Sequence, residues 1–367
     1  MKLLKLQANG CMGVPYDYIC LMVHKVTINE LLTTHAALPI MDVRAPAEFS
    51  HGHIPGAYNL PLFTNEERAQ VGITYKEQGR DAAVLLGFDI TGQKWSGFIK
   101  EALNQAPGKK IAVHCWRGGM RSGAMAWALD FYGFDVYQLE GGYKTYRKHV
   151  LEQFEKAYPL QLIGGMTGSG KTLLLQALRN KGEQVVDLED LAQHRGSSYG
   201  SMNHLMQPTQ EQFENNLAQS LAKLDPNRRI WLEDESAMIG KCSIPRSFWK
   251  QMREVPLLNI SIPFEQRVNT LVAEYGSLDK SFLAACTGRI WKRLGPEQTK
   301  RAVAAIQEDR MADFIREVLR YYDKTYTTGL NNRPPGSVMS VDFDHTDAAE
   351  QAAHILELIA KHEHTGN

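Results

Sequence analysis

Leu160-Gln161-Leu162-Ile163, then Gly165-Met166-Thr167-Gly168-Ser169-Gly170-Lys171-Thr172, then the helical run Leu173 to Asn180, is the stretch that decides the fold class. The middle segment fits G-x-x-x-x-G-K-[ST], and it follows an apolar strand and opens a helix, as a phosphate-binding loop must. Average composition produces this pattern in on the order of one chain in a hundred of this length, before the context is required. Gly165, Gly168 and Gly170 let successive backbone N–H groups point into one concavity. The helix start adds partial positive charge, and Lys171 a full one. Thr172 would hold a Mg²⁺ where one is present. The loop leaves open whether its phosphate belongs to a nucleoside triphosphate, a diphosphate ester or a nucleic acid.

Outward from this loop the chain repeats short apolar runs between helical segments. After it come Gln184-Val185-Val186-Asp187, Arg229-Ile230-Trp231-Leu232, Leu257-Leu258-Asn259-Ile260 and Ser337-Val338-Met339-Ser340-Val341, with long helical insertions, notably Arg301 to Tyr322. Before it come a helix-like pattern from Val26 to Leu32, then Ile40-Met41-Asp42-Val43, a helical turn Ala45 to Ser50, Ala57-Tyr58-Asn59-Leu60, Ile111-Ala112-Val113-His114, a helix Ser122 to Tyr132 and another from Tyr143 to Ala157. Such alternation predicts α/β architecture with mostly parallel sheets in both halves. A boundary near 150–159, marked by Pro159, divides the chain into an extension over 1–24, a first domain over 25–150 and a second, with helical insertions, over 151–367. Met22 is a candidate start of translation.

Composition bounds what the whole can do. With 367 residues, 43% apolar and 22% charged, the chain has the make-up of a globular protein of two or three domains. Its 41 basic and 41 acidic residues cancel, and the halves on either side of residue 150 carry only +3 and −3. A nucleic-acid site must therefore be a local patch. No apolar run is long enough to span a bilayer, and Asn9-Gly10 and Pro15 interrupt any leader-like start, so a cytoplasmic location without membrane association is expected. Cys11, Cys20, Cys115, Cys242 and Cys286 are odd in number and contain no C-x-x-C pair, which argues against a disulfide framework or a zinc site.

One cysteine has special surroundings. His114-Cys115-Trp116-Arg117-Gly118-Gly119-Met120-Arg121-Ser122 sets a thiol at a strand end, glycines in the turn, and Arg121 before a helix. Backbone N–H groups, the helix start and the two arginines would all favour a thiolate. Two acidic candidates could serve the phosphate loop as metal ligands or acid/base groups. They are Asp187 at one strand end, and Asp234 within Glu233-Asp234-Glu235 at another.

With Asp42-Val43-Arg44, Glu48-Phe49, Gly52-His53-Ile54-Pro55-Gly56-Ala57 and Glu140-Gly141-Gly142-Tyr143, the stretch from about 26 to 148 resembles a rhodanese domain. In that family the loop cysteine carries sulfur or selenium; Asp42 and Arg44 read as structural here. Five residues separate Cys115 from Arg121, one more than in most sulfur-transferring rhodaneses. H-C-x5-R-S is also the signature of cysteine-dependent phosphatases, and the longer cradle suits a tetrahedral, phosphate-bearing reactant.

A rhodanese domain followed by a P-loop domain resembles the tRNA 2-selenouridine synthase family from about residue 38 to 345. The likeness includes Arg44-Ala45-Pro46, Asp187-Leu188-Glu189, His194-Arg195-Gly196-Ser197, Leu232-Glu233-Asp234-Glu235-Ser236, and Pro263-Phe264-Glu265 with Arg267, Leu271 and Glu274-Tyr275. It implies replacement of the sulfur of wobble 2-thiouridine in tRNA by selenium from selenophosphate, through an S-geranylated intermediate made from geranyl diphosphate. Cys115, Arg117 and Arg121 would then handle selenium, and the P-loop a phosphate group. No tightly bound cofactor is expected. The implied partners are tRNA, small-molecule phosphate donors and a protein supplying selenophosphate. For the tRNA, Arg289, Lys292 and Arg293, with Lys300, Arg301 and Trp291 nearby, form the densest basic group, and helical spacing puts the first three on one face. Arg195 is a further candidate. A solvated helix face explains the same residues. Two alternatives to the enzyme as a whole also stand: a phosphatase using Cys115, and a P-loop kinase with a regulatory rhodanese domain.

Overall fold

Short runs of Val, Ile, Leu and Ala flanked by glycine-bearing loops pair in parallel, because helices cover both faces of the sheets they build. The computed structural model describes residues 23–194, 199 and 206–365, without the side chains of 362–365. Two compact units emerge: the chain up to Phe49 with Gly56–Thr145, and Ser50–Pro55 with Tyr146 onward.

The first unit contains β1 (His24–Val26), β2 (Ile40–Asp42), β3 (Tyr58–Asn59), β4 (Lys110–His114) and β5 (Asp135–Leu139), in the order β1-β5-β4-β2-β3, with every pair parallel. Ile111, Ala112 and Val113 of β4 are completely buried. Ile111 and Val113 pack with Met41, Met125, Leu129 and Val136 in a core that also takes in Cys115, so the central strand's carboxyl end is held by that core. Two sequence expectations change. Val26 closes a strand rather than opening a helix, since Thr27 caps the helix Ile28–Leu32 with a capping box to Glu30. β5 has no apolar run to announce it, because Tyr137 and Gln138 give it a polar appearance, although Gln138 is buried.

In the second unit β6 (Leu160–Gly165), β7 (Gln184–Val185), β8 (Ile230–Glu233), β11 (Leu257–Ser261) and β12 (Val338–Asp342) form a parallel sheet in the order β12-β11-β6-β8-β7. β9 (Met238–Ile239) and β10 (Cys242–Ser243) make a small antiparallel pair. The strand carrying the phosphate loop, β6, is central, so that loop leaves from the middle of the sheet's carboxyl edge. A helical insertion has its own core of Val268, Leu271, Leu283, Ile306 and Phe314.

The single helix expected over Arg301 to Tyr322 is two, Pro296–Gln307 and Met311–Asn331. Asp309 adopts a left-handed conformation at φ +59°, and Arg310 pairs with Glu308 and Asp313 across the break. Among the described residues, no helix is long and apolar enough to cross a membrane.

Candidate active site

Cys115 is the first residue beyond β4, 4% exposed, and the helix Met120–Phe131 begins five residues later. Glycine is required on both sides of this loop. A Cβ on Gly118 (φ +66°) would lie 2.8 Å from the Leu139 carbonyl oxygen, and one on Gly142 (φ +61°) 2.3 Å from that of Cys115. The turn at Gly141-Gly142 therefore sits directly against the thiol loop. From it the N–H groups of Tyr143 and Lys144 donate to the carbonyls of Cys115 and Trp116 at 2.8 and 2.9 Å.

Burial works to raise the Cys115 thiol. It is outweighed by the Ser122 hydroxyl at 3.2 Å, the backbone N–H groups of Ser122 and Arg117, and the charge of Arg121, so the thiol titrates below its ordinary range. Cys242 and Cys286 are also buried, and there burial prevails and pushes both up, at Cys286 even against the Arg289 guanidinium that donates to its sulfur at 2.6 Å. Cys11, Cys20 and Arg195 lie outside the described residues.

The two loop arginines divide the work differently from expectation. Arg117 contributes its backbone, while its side chain is exposed. Arg121 is gripped at both nitrogens by Glu48, at 2.6 and 3.2 Å, so it acts on the thiol as a nearby charge rather than as an open ligand. Beneath the loop Asp42 and Arg44 form a fully buried pair, with the Arg44 guanidinium 3.8 Å from the centroid of the Tyr143 ring. Burial opposes charge on Asp42, but His114 and Arg44 hold its carboxyl below the usual range.

In the second unit Gly165 ends β6, and Gly168 and Gly170, at φ +82° and +78°, turn the chain into the helix Lys171–Asn180. Lys171 Nζ donates to the Gly165 carbonyl at 2.8 Å, which folds the cation over the loop. Ser169 is 1% exposed, and its hydroxyl has no hydrogen-bond partner among the described residues. Buried Arg267 ties the Thr167 carbonyl (3.1 Å) to Asp323 (2.7 Å), bracing the loop from the insertion. Tyr326 accepts the Gly165 N–H at 2.6 Å and donates to Asn259 Oδ1 at 3.1 Å. Sequence reasoning missed Tyr326, although its signal was present: Gly164, inside a strand, has no room for a Cβ, which would meet the Tyr326 hydroxyl at 2.4 Å.

The acidic candidates separate. Asp234 is bound by Arg333 at 2.6 Å and Arg253 at 3.5 Å. Asp187 caps the helix Leu188–Leu191 and accepts the Asp190 N–H, its carboxyl raised by burial and by Asp190 and Glu189. The carboxyl that senses Lys171 is Glu235. Burial, Glu189 and a hydrogen bond with Glu189 outweigh that lysine and push it up to about 8. Glu233 is pushed well above its usual range by burial and by Asp187, Glu189 and Glu235; one of its oxygens accepts the Glu189 N–H at 2.8 Å.

Among the described residues, no group of three or more Asp, Glu, His or Cys side chains is arranged to hold a metal by itself. Exposed Thr172 and the Glu235–Glu189 carboxyls fit a Mg²⁺ delivered with phosphates, which keeps most of its own water.

Arg289, Lys292 and Arg293 are all exposed, yet they do not share a helix face. Arg289 ends the helix Lys280–Arg289, buried Ile290 leaves helical geometry, and Lys292 and Arg293 lie on the separate turn Trp291–Leu294.

A family model described as the tRNA 2-selenouridine synthase AAA domain matches residues 158–354, more than half of the chain, and one described as a rhodanese-like domain matches 27–149. The tRNA 2-selenouridine synthase of Hydrogenovibrio crunogenus is 35% identical over 349 residues, covering 84% of this chain and 93% of that protein. Those of Nitrosomonas eutropha and Bdellovibrio bacteriovorus are each 42% identical; the matches span 65% and 68% of this chain, and 63% and 68% of the relatives' own lengths. The chain belongs to the tRNA 2-selenouridine synthase family.

Proposed function

We propose that this chain carries out the reaction its family name describes, exchanging the sulfur of wobble 2-thiouridine in tRNA for selenium. The observation that carries the reading is the pairing, in one chain of that family, of a thiol held below its usual range with a phosphate loop whose lysine folds onto the Gly165 carbonyl and, among the described residues, makes no ion pair with a carboxylate. In this reading Cys115 handles selenium from selenophosphate, supplied by a partner protein, and the N–H groups that favour its thiolate equally suit the phosphate end of that donor. Lys171, Thr172 and the loop N–H groups bind the diphosphate of a geranyl donor, with Mg²⁺ neutralising phosphate charge when bound. Holding a departing diphosphate is electrostatically the same task as holding nucleotide phosphates. The reaction then proceeds through an S-geranylated uridine.

A phosphatase would need Arg121 on the phosphate, whereas Glu48 occupies that guanidinium. Mass analysis of wobble nucleosides, after incubating the protein with thiolated tRNA, geranyl diphosphate and selenophosphate, decides the matter. Selenium-containing nucleoside is expected from the parent. Cys115→Ala should abolish it while leaving the geranylated nucleoside to accumulate. Lys171→Ala should block geranylation, lowering its rate at least a hundredfold, on the order of the loss of one preorganised charge. Loss of both steps in each variant would rule out this division of labour.

A further inference from the structure

Gln138 lies on β5 directly beside the thiol loop, 3% exposed, and is the register partner of Lys25 on the edge strand β1. Its side-chain amide touches three groups. Oε1 accepts from Lys25 Nζ at 2.5 Å, while Nε2 donates to the Gly118 carbonyl at 3.2 Å and to Ser122 Oγ at 2.8 Å. This arrangement has one orientation only. An ammonium group has nothing but protons to offer and a carbonyl nothing but lone pairs, so a flipped amide would face like against like at both ends.

Ser122, fully buried, has one proton and sits 3.2 Å from both Cys115 Sγ and the Gly119 carbonyl. Because Gln138 donates to the serine oxygen, that proton must point away from Gln138. Between a neutral carbonyl and a sulfur anion, the charge-assisted bond to sulfur is the stronger.

We infer that Gln138, fixed by Lys25, is a positioning residue for Cys115: it turns the Ser122 hydroxyl into a donor to the sulfur and at the same time pins the Gly118 carbonyl of the thiol loop. The other charged and titratable groups around the sulfur are Arg121 with its partner Glu48, the Arg117 backbone, and the His114, Asp42 and Arg44 group below. Among the described residues the Gln138 side chain hydrogen-bonds to Lys25, Gly118 and Ser122 and to none of these side chains, so its substitution isolates the relay. The inference rests on the reading of Cys115 as a reactive thiol and on no other part of the proposed function.

The test is the pH profile of Cys115 alkylation by iodoacetamide in the full chain, followed on the Cys115 peptide by mass analysis. Gln138→Leu should move the midpoint upward by about one pH unit, the effect of weakening one charge-assisted hydrogen bond. In a Ser122→Ala background the same substitution should move it by much less, because the hydroxyl that transmits the effect is gone. An unmoved midpoint in folded Gln138→Leu, or an equal shift in both backgrounds, overturns the inference. If Gln138→Leu does not fold, exposed Lys25→Met replaces it: a smaller upward shift is expected, and an unchanged profile overturns the relay. A shift in alkylation without any selenium transfer by the parent would sink the proposed function and leave the relay standing.

Discussion

Glu235 keeps a proton at neutral pH that an ordinary glutamate gives up, and this makes the stability of the second unit depend on pH. Its carboxyl titrates at about 8 in the folded chain, against an ordinary value of 4.5. Between those two values the folded chain holds a proton that the unfolded chain releases. The contribution is therefore complete below pH 4.5 and lost as pH rises through 8. Asp187 and Glu233, raised by the same crowding, act in the same direction. Asp42 and Glu48, held low by their cationic partners, lose their contributions only in acid and leave this window flat. Thermal unfolding of the parent should thus show a lower midpoint at pH 8 than at pH 5.5, and Glu235→Gln should remove on the order of 2 kcal/mol of that difference. Equal losses in both proteins would mean that the carboxyl group is ionised in the folded state. Binding of a phosphate with its cation should expel the same proton, which calorimetry in two buffers of different ionisation enthalpy would register.

The strand β6 works as an element only because it lacks a side chain where the long helix Met311–Asn331 crosses it. A methyl group at Gly164 would meet Leu257 as well as the Tyr326 hydroxyl, at 2.9 and 2.4 Å. Gly164→Ala should displace Tyr326, orphan the Gly165 N–H and cost about 2–3 kcal/mol in urea denaturation, with Tyr326→Phe costing less because only the hydrogen bond is lost. Wild-type stability in Gly164→Ala would mean that the helix yields freely. β2, β4, β6, β8, β11 and β12 were readable in the sequence, because each is a short run dominated by apolar residues, ended in β2, β6, β8 and β12 by a glycine or an acidic residue, in β4 by the Cys115 loop and in β11 by Pro263. Other features were not. The helix break at Glu308–Arg310 contains neither Gly nor Pro, and its left-handed Asp309 is stabilised by local ion pairs that have no period. The end of a helix at Arg289 depends on Ile290 turning into the insertion core, which is a tertiary event. In the thiol loop, Cys115 and its glycines announced themselves by type and spacing. Gln138 and Lys25 did not, because a glutamine acquires its role only from the register between β1 and β5. The pairing of Arg121 with Glu48 was equally hidden, since 73 positions separate the partners.

Across the whole molecule, charge cancels, and that sets how a polyanion can be held. A neutral chain makes few phosphate contacts, so tRNA affinity should fall with the logarithm of salt less steeply than for a strongly basic binder, leaving more of the selectivity to unstacked anticodon bases. Changing Arg289, Lys292 and Arg293 together to Glu should weaken tRNA binding about tenfold and flatten the salt dependence further, without altering Cys115 alkylation. Identical curves for parent and variant would return these residues to being ordinary solvated surface. The environment of Cys115 has a consequence for handling and survival as well as for chemistry. Among the described cysteines, the one whose thiol is held below its ordinary range is the one peroxide attacks first, whereas burial raises the thiols of Cys242 and Cys286 and disfavours the reactive thiolate there. In air the activity should fade by sulfenic acid formation at this single atom while the unfolding midpoint stays constant, and early addition of a thiol reductant should restore it. The working life of the Cys115 thiol is then governed by the redox state of its surroundings rather than by the stability of the fold.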